Sequence, residues 1–210
     1  MKLHLETDIL LVIDVQSDFC PGGALAVTGG DETVPVINAL ARNVRHVVAT
    51  QDWHPAGHSS FASSHPGKAA FTHIQMPYGP QTLWPDHCII GSEGARLRRD
   101  LDIPHTELIV RKGYRKEIDS YSAFFENDHL TPTGLGGYLR ERGFQRVVCA
   151  GLAFDYCVRY SAEDARAQGF DVIVVEDACR AIDLDGSAEL TRSAFRRVGI
   201  ALVGSSEVEA

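Results

Sequence analysis

The chain has 210 residues, 44% of them hydrophobic and 23% charged, which suits one soluble globular domain built on a single core. Its formal net charge of −8 disfavours non-specific binding to nucleic acid or to an anionic membrane, both of which call for a basic face. The opening MKLHLETDILLVID holds no apolar stretch long enough for a signal peptide or membrane helix, and five cysteines without C-x-x-C spacing argue against a disulfide framework, so a cytoplasmic protein is expected.

In chain order, a buried β-branched run over about 8–14 predicts a first strand ending on Asp14. A helical pattern follows near 32–43, with Asp31 as its expected cap, and a second strand over about 45–51 leads into Asp52. Residues 53–106 then break the rhythm, being rich in Pro, Gly, Ser, His and aromatics. An irregular insertion of this length is usually functional, and here it is expected to form a wall or lid. Within it SEGARLRRDL reads as a short helix, with Arg96, Arg98 and Arg99 on a solvated face.

A third strand, about 107–112, ends on Lys112. Helical patterns near 134–142, 156–168 and 186–197 alternate with strands at about 146–151, 171–176 and 199–204, and Gly143 and Gly169 sit where helices should stop. This alternation predicts a mainly parallel, six-stranded sheet with right-handed crossovers and helices on both faces, a Rossmann-like α/β fold. In such sheets ligands bind beyond the carboxyl ends of the strands. Asp14, Asp52, Lys112 and Cys157 all lie at or just past strand ends, so they are expected to share one cleft.

Six of the nine histidines fall between residues 54 and 105, and that bias points to a site. Asp52 and His54, two apart at a strand end, can point to one side and share a cation. His58 and His87 are candidates for a third ligand, and mixed N/O ligation suits zinc, iron or manganese. His46, His65, His73, His105 and His129 read as surface residues. Cys149 reads as core, and Cys20, Cys88 and Cys179 as structural thiols. Cys157 differs, because it follows a strand and a tight glycine exit, with Asp155 as a plausible N-cap. In the first turn of a helix the dipole and free N–H groups would lower its pKa and hold an oxyanion. Asp14 and Lys112 then supply a proton acceptor and a cation, enough for nucleophilic catalysis without histidine.

Five segments, DVQSDFCPGGALAV (14–27), TQDWHPAGHSSFA (50–62), LWPDHC (83–88), KGYRKEIDSYSAF (112–124) and GLAFDYCV (151–158), together resemble the bacterial nicotinamidases, which belong to the isochorismatase-like cysteine hydrolases. The resemblance implies a three-layer α/β/α domain spanning 1–210, with a metal-binding loop insertion at about 53–106. It implies Cys157 as nucleophile, Asp14 as proton shuttle and Lys112 as third member of the triad. Asp52, His54 and His87 would hold one divalent metal, zinc foremost, with His58 as a fourth ligand in some relatives. Phe19, Trp84, Tyr121 and Tyr156 would wall the substrate ring. The N–H groups of Ala153 and Cys157 would form the oxyanion hole, beside a cis peptide between Leu152 and Ala153. The implied reaction takes nicotinamide to nicotinate and ammonia through a thioester, within NAD salvage, with pyrazinamide also accepted. The expected partner is thus a small molecule, with no nucleic acid or membrane involved and room for a homo-oligomer.

Where many relatives carry a small polar residue this chain has Phe154, which puts detail of the pocket in question. Related enzymes acting on isochorismate, carbamoylsarcosine or ureides generally lack the DWH and WPDH pair. An inactive metal-binding relative is the non-enzymatic alternative, and the intact Asp14, Lys112 and Cys157 set weighs against it.

Overall fold

A computed structural model describes residues 1–209. The strands β1 (Asp8–Ile13), β2 (Val47–Asp52), β5 (Thr106–Lys112), β6 (Arg146–Leu152), β7 (Asp171–Arg180) and β8 (Ala201–Val203) form one sheet in the order β5-β2-β1-β6-β7-β8. Every pairing in it is parallel. Helices α1 (Thr33–Ala41), α2 (Leu135–Glu141), α3 (Arg159–Ala167) and α4 (Ser187–Val198) supply the outer layers.

Period-two alternation in the fully buried β1 explains the three layers. Ile9, Leu11 and Ile13 face a core shared with Leu135 and Leu139 of α2, Ala162 and Ala165 of α3, and Phe195 of α4. Leu10 and Val12 face the opposite core, where α1 contributes Val34, Ile37 and Leu40. Burying those three side chains stabilises the α1 face by about 1.5–3 kcal/mol each.

The chain builds outward from β1 through β2 to β5, then returns to the other side of β1 as β6 and continues to β7 and β8. The strand order therefore switches between β1 and β6, and the crevice beyond their carboxyl ends is where such sheets bind ligands. The two strands lie in register from Asp8 opposite Arg146 to Ile13 opposite Gly151. Gly151, at φ +129°, is required there, because a Cβ would stand 2.0 Å from the carbonyl oxygen of Ile13.

Three expectations are corrected. Residues 73–82 form a hairpin of β3 (His73–Met76) and β4 (Gly79–Thr82), whose four-residue strands are too short for an apolar pattern to stand out. SEGARLRRDL is not helical. It runs beside Val15–Asp18, taking Ser17 N–H on Arg96 O and Asp18 N–H on Gly94 O while donating Arg98 N–H to Val15 O, so its backbone groups are spent between segments. Asp31 caps nothing with its side chain. It lies inside a 3₁₀ turn, Gly30–Glu32, that enters α1 directly.

Candidate active site

Asp14 leaves β1 at φ +49°, a left-handed conformation that Asp tolerates better than most residues. Thr50 of β2 fixes it twice: the Asp14 N–H donates to Thr50 Oγ1 at 3.1 Å, and that hydroxyl donates to Asp14 Oδ1 at 2.5 Å. Asp14 Oδ2 stands 2.8 Å from Lys112 Nζ as an ion pair but off the line of a hydrogen bond, so no donor occupies it.

Lys112, 1% exposed at the end of β5, spends its donors on Asp52 Oδ1, on the Ser120 carbonyl at 2.9 Å and on Cys157 Sγ at 3.3 Å. Burial alone would push the ammonium pKa down, but Asp14 and Asp52 outweigh it and hold the group well above its ordinary value. Lys112 is therefore the fixed charge of the cleft. Asp14 is pushed up, with burial as the largest cause and Lys112 opposing it, so it holds a proton more readily than a free carboxyl.

Cys157 lies in a π-helical turn, Phe154–Val158, ahead of α3, rather than in an α-helical first turn. Its thiol is pushed well up by burial, with Asp14 and Asp52 adding to the effect and Lys112 opposing it. Burial thus works against the depression expected from a helix dipole and favours the thiol form, whose proton then needs an acceptor. Ligand atoms of Asp14, Asp52 and Cys157 lie within 4.8 Å of one another, which supplies one. Asp155 does not cap α3 either. Its carboxylate accepts from the Ile182 N–H (3.0 Å), the Asp183 N–H (2.7 Å) and Ser187 Oγ (2.5 Å), tying the turn to the segment entering α4.

Leu152–Ala153 is cis, as expected. The Ala153 carbonyl accepts both the Tyr156 and the Val158 N–H at 3.1 Å, which fixes the turn between Ala153 and Cys157.

Asp52, His54 and His87 form a second buried group, with ligand atoms within 4.8 Å of one another. Each histidine donates Nδ1–H to a carbonyl at 2.8 Å, His54 to Gly113 and His87 to Pro85. Both Nε2 lone pairs therefore turn inward, each 3.6 Å from Asp52 Oδ2. Carbonyl bonds that fix the tautomer are the usual support of a metal-binding imidazole, so the donor set fits a divalent cation with open positions. Gly113 makes room for His54: at φ +66°, its Cβ would fall 2.4 Å from the His54 ring.

His58 is turned away from that role. Its Nδ1 meets Ser60 Oγ at 2.7 Å, and its Nε2 lies 2.9 Å from Arg115 O and 3.2 Å from Ile118 O. Burial, aided by His54, lowers its pKa, and the neutral ring must keep its Nε2 proton for those carbonyls. His58 nevertheless lies with His54 and Asp119 in another buried group whose ligand atoms fall within 4.8 Å of one another, apart from Asp52 and His87.

Both groups border one narrow, mostly apolar pocket. Its wall includes Phe19, Trp84, Tyr121 and Tyr156 as well as Ala153, with Asp52, His87 and Cys157 exposed to it. Trp84 packs edge-on against Tyr156 at a centroid distance of 4.8 Å.

Residues 8–204 match the isochorismatase domain model. The chain belongs to the isochorismatase family. It is 49% identical to a curated nicotinamidase of Acinetobacter baylyi over 199 residues, 95% of this chain and 93% of that one. Among solved structures, a nicotinamidase/pyrazinamidase from Acinetobacter baumanii superposes with a TM-score of 0.95 at 50% identity, covering 96% of this chain and 98% of its own. The PnC1 protein of L. infantum, in complex with nicotinate, gives 0.87 at 38% identity with 99% and 98% covered. The pyrazinamidase of Pyrococcus horikoshii, in complex with zinc, gives 0.77 at 33% with 94% and 98% covered.

Within this isochorismatase fold, several residues in or beside the cavity carried no sequence signal. Leu25 and Ile182 complete the apolar wall. Gln16 joins the ends of β1 and β2, donating to Asp52 O (2.9 Å) and accepting the Asp52 N–H (2.8 Å). Asp119, buried on the cavity wall, sits inside the KGYRKEIDSYSAF segment, where an acid among polar residues did not stand out. Phe154 lies off the cavity: it packs edge-on against Phe195 at 5.8 Å, with the Arg192 guanidinium over its ring.

Proposed function

We propose that this chain hydrolyses nicotinamide to nicotinate and ammonia, and accepts pyrazinamide as a ring isostere. The observation that carries the reading is the buried contact of Cys157 Sγ and Asp14 with Lys112, beside the Asp52, His54 and His87 group on one aromatic cavity. The nicotinamidases it resembles, and the nicotinate held in one of them, support the choice of ring. The five cysteines are free and buried, which suits a reducing, cytoplasmic setting and a role in NAD salvage.

Asp14 Oδ2, free of hydrogen-bond donors, takes the Cys157 proton, and Sγ attacks the carboxamide carbon. Lys112 stays protonated and offsets the negative charge as it moves from Asp14 to sulfur. The N–H groups of Ala153 and Cys157 hold the oxyanion. Asp14 then gives its proton to the departing amine, so that ammonia leaves a nicotinoyl thioester on Cys157. Asp14 next draws a proton from an attacking water, the C–S bond breaks, and nicotinate leaves with the thiol restored. Phe19, Trp84, Tyr121 and Tyr156 keep the ring flat and exclude bulk water. A divalent cation on Asp52, His54 and His87, with zinc favoured by the donor set and by its presence in the Pyrococcus relative, would give the pyridine nitrogen a Lewis-acidic partner.

The test is ammonia release from nicotinamide, pyrazinamide and an aliphatic amide, with metal content measured on the same sample. Release from the two ring amides, abolished in Cys157→Ala, is expected. Equal turnover by Cys157→Ala, or a preference for the aliphatic amide, would overturn the reading.

A further inference from the structure

Gln81, in β4, belongs to a hairpin whose other strand is exposed to half-buried, yet is itself 1% exposed. Its Oε1 receives Tyr78 Oη and Asn127 Nδ2, each at 3.2 Å. Two donors on that oxygen fix which way the amide faces. The Nε2 edge is then turned to acceptors: Thr82 O at 2.7 Å, Asp119 Oδ2 at 2.8 Å and Tyr121 Oη at 2.9 Å.

Two of those acceptors line the cavity. The Tyr121 hydroxyl also accepts from Trp84 Nε1 at 3.2 Å, so Gln81 closes a chain that runs from the hairpin to the ring wall. Asp119 receives the Ser120 N–H at 2.8 Å, and its other oxygen depends on Gln81. A buried carboxylate left short of donors is costly, so removing this amide would let both wall residues shift.

We propose that Gln81 is a positioning residue for nicotinamide hydrolysis, holding the Tyr121 ring and the Asp119 carboxylate in place so that the cavity fits one aromatic ring. This rests on the function proposed above. Gln81 makes no hydrogen bond to Asp14, Lys112 or Cys157, so its loss moves the wall and leaves the reacting atoms where they are. Weaker binding shared by ground state and transition state raises KM and spares kcat.

The experiment compares wild type, Gln81→Leu, Tyr121→Phe and the double variant, reading kcat and KM for nicotinamide together with Tm. In Gln81→Leu, KM is expected to rise by about three- to ten-fold, with kcat changed less than about twofold. In the Tyr121→Phe background the same substitution should raise KM by clearly less, because the hydroxyl it acts on is gone. A merely structural role would lower Tm and the active fraction, leaving KM unchanged, and would act equally in both backgrounds. Either result overturns the proposal. Should Gln81→Leu fail to fold, Gln81→Glu keeps the size and the acceptor for Asn127 and Tyr78 while turning the donor edge into an acceptor. The same rise in KM is expected from it, and an unchanged KM overturns the proposal. Wild type without turnover on nicotinamide would instead remove the function itself, and this inference with it.

Discussion

Gly113→Ala isolates what the backbone beside the strand β5 does for the histidine pair. Alanine at φ +66° costs about 1–2 kcal/mol relative to glycine. The new Cβ would also stand 2.4 Å from His54 Cε1 and 2.7 Å from Nδ1, so the ring must swing away. That movement breaks the 2.8 Å bond from Nδ1 to the Gly113 carbonyl, costing about 0.5–1.5 kcal/mol more. The sum, roughly 1.5–3.5 kcal/mol, corresponds to a fall in Tm of roughly 3–14 °C for a chain of this size. Loss of the bond that orients a metal-binding histidine should also lower metal affinity by about 10–100-fold. Gly199→Ala is the control. Its φ of +74° imposes the same backbone cost, and no atom lies within 4 Å of its Cβ. Both variants should melt early in a thermal scan, but only Gly113→Ala should lose zinc affinity in a metal titration and gain KM for nicotinamide. Equal zinc affinity in the two would refute the role given to Gly113.

Asp14→Asn keeps an acceptor for Thr50 while losing the proton shuttle. Its amide N–H groups would then face the Lys112 ammonium where a carboxylate oxygen stood, so Tm should fall, and kcat of the folded fraction should fall by about 10²–10⁴-fold, measured by ammonia release. His58→Gln should retain the metal stoichiometry of the wild type while His87→Gln loses it, as read by elemental analysis, because His87, unlike His58, turns its Nε2 to Asp52. Phe154→Ala should cost about 3–5 kcal/mol of stability in denaturant unfolding with KM for nicotinamide unchanged, since its ring packs on Phe195 away from the cavity.

The sheet was legible because β1, β2 and β6 are buried on both faces and so read as short apolar runs, with Asp14 just past β1, Asp52 closing β2 and Cys157 in the turn after β6. Asp14, Asp52, Lys112 and Cys157 could be placed at one edge from that alone, and the structure brings them together. What sequence could not give was the part made by backbone. SEGARLRRDL has helical composition, yet its peptide groups pair with Val15–Asp18, a segment far away in sequence. The opposing pull on the Cys157 thiol was hidden for a similar reason: the helix dipole is a local argument, whereas burial is set by the whole fold. Asp119 and Gln81 gain meaning only from each other, across 38 positions, and no periodicity marks such a pair.

The cleft straddles the seam between β1 and β6. Asp14, Asp52, Lys112 and both metal-facing histidines come from chain up to residue 112, whereas Ala153 and Cys157 follow β6, across the crossover 113–145. Neither half of the sheet carries the whole of the proposed Asp14, Lys112 and Cys157 set. Turnover is therefore an all-or-none reporter of whether the seam is closed: molecules with each half formed but undocked would look folded by helix content and be silent in the assay. During refolding, recovery of activity should time the docking of β6 along the six residue pairs of β1, rather than the appearance of secondary structure on either side.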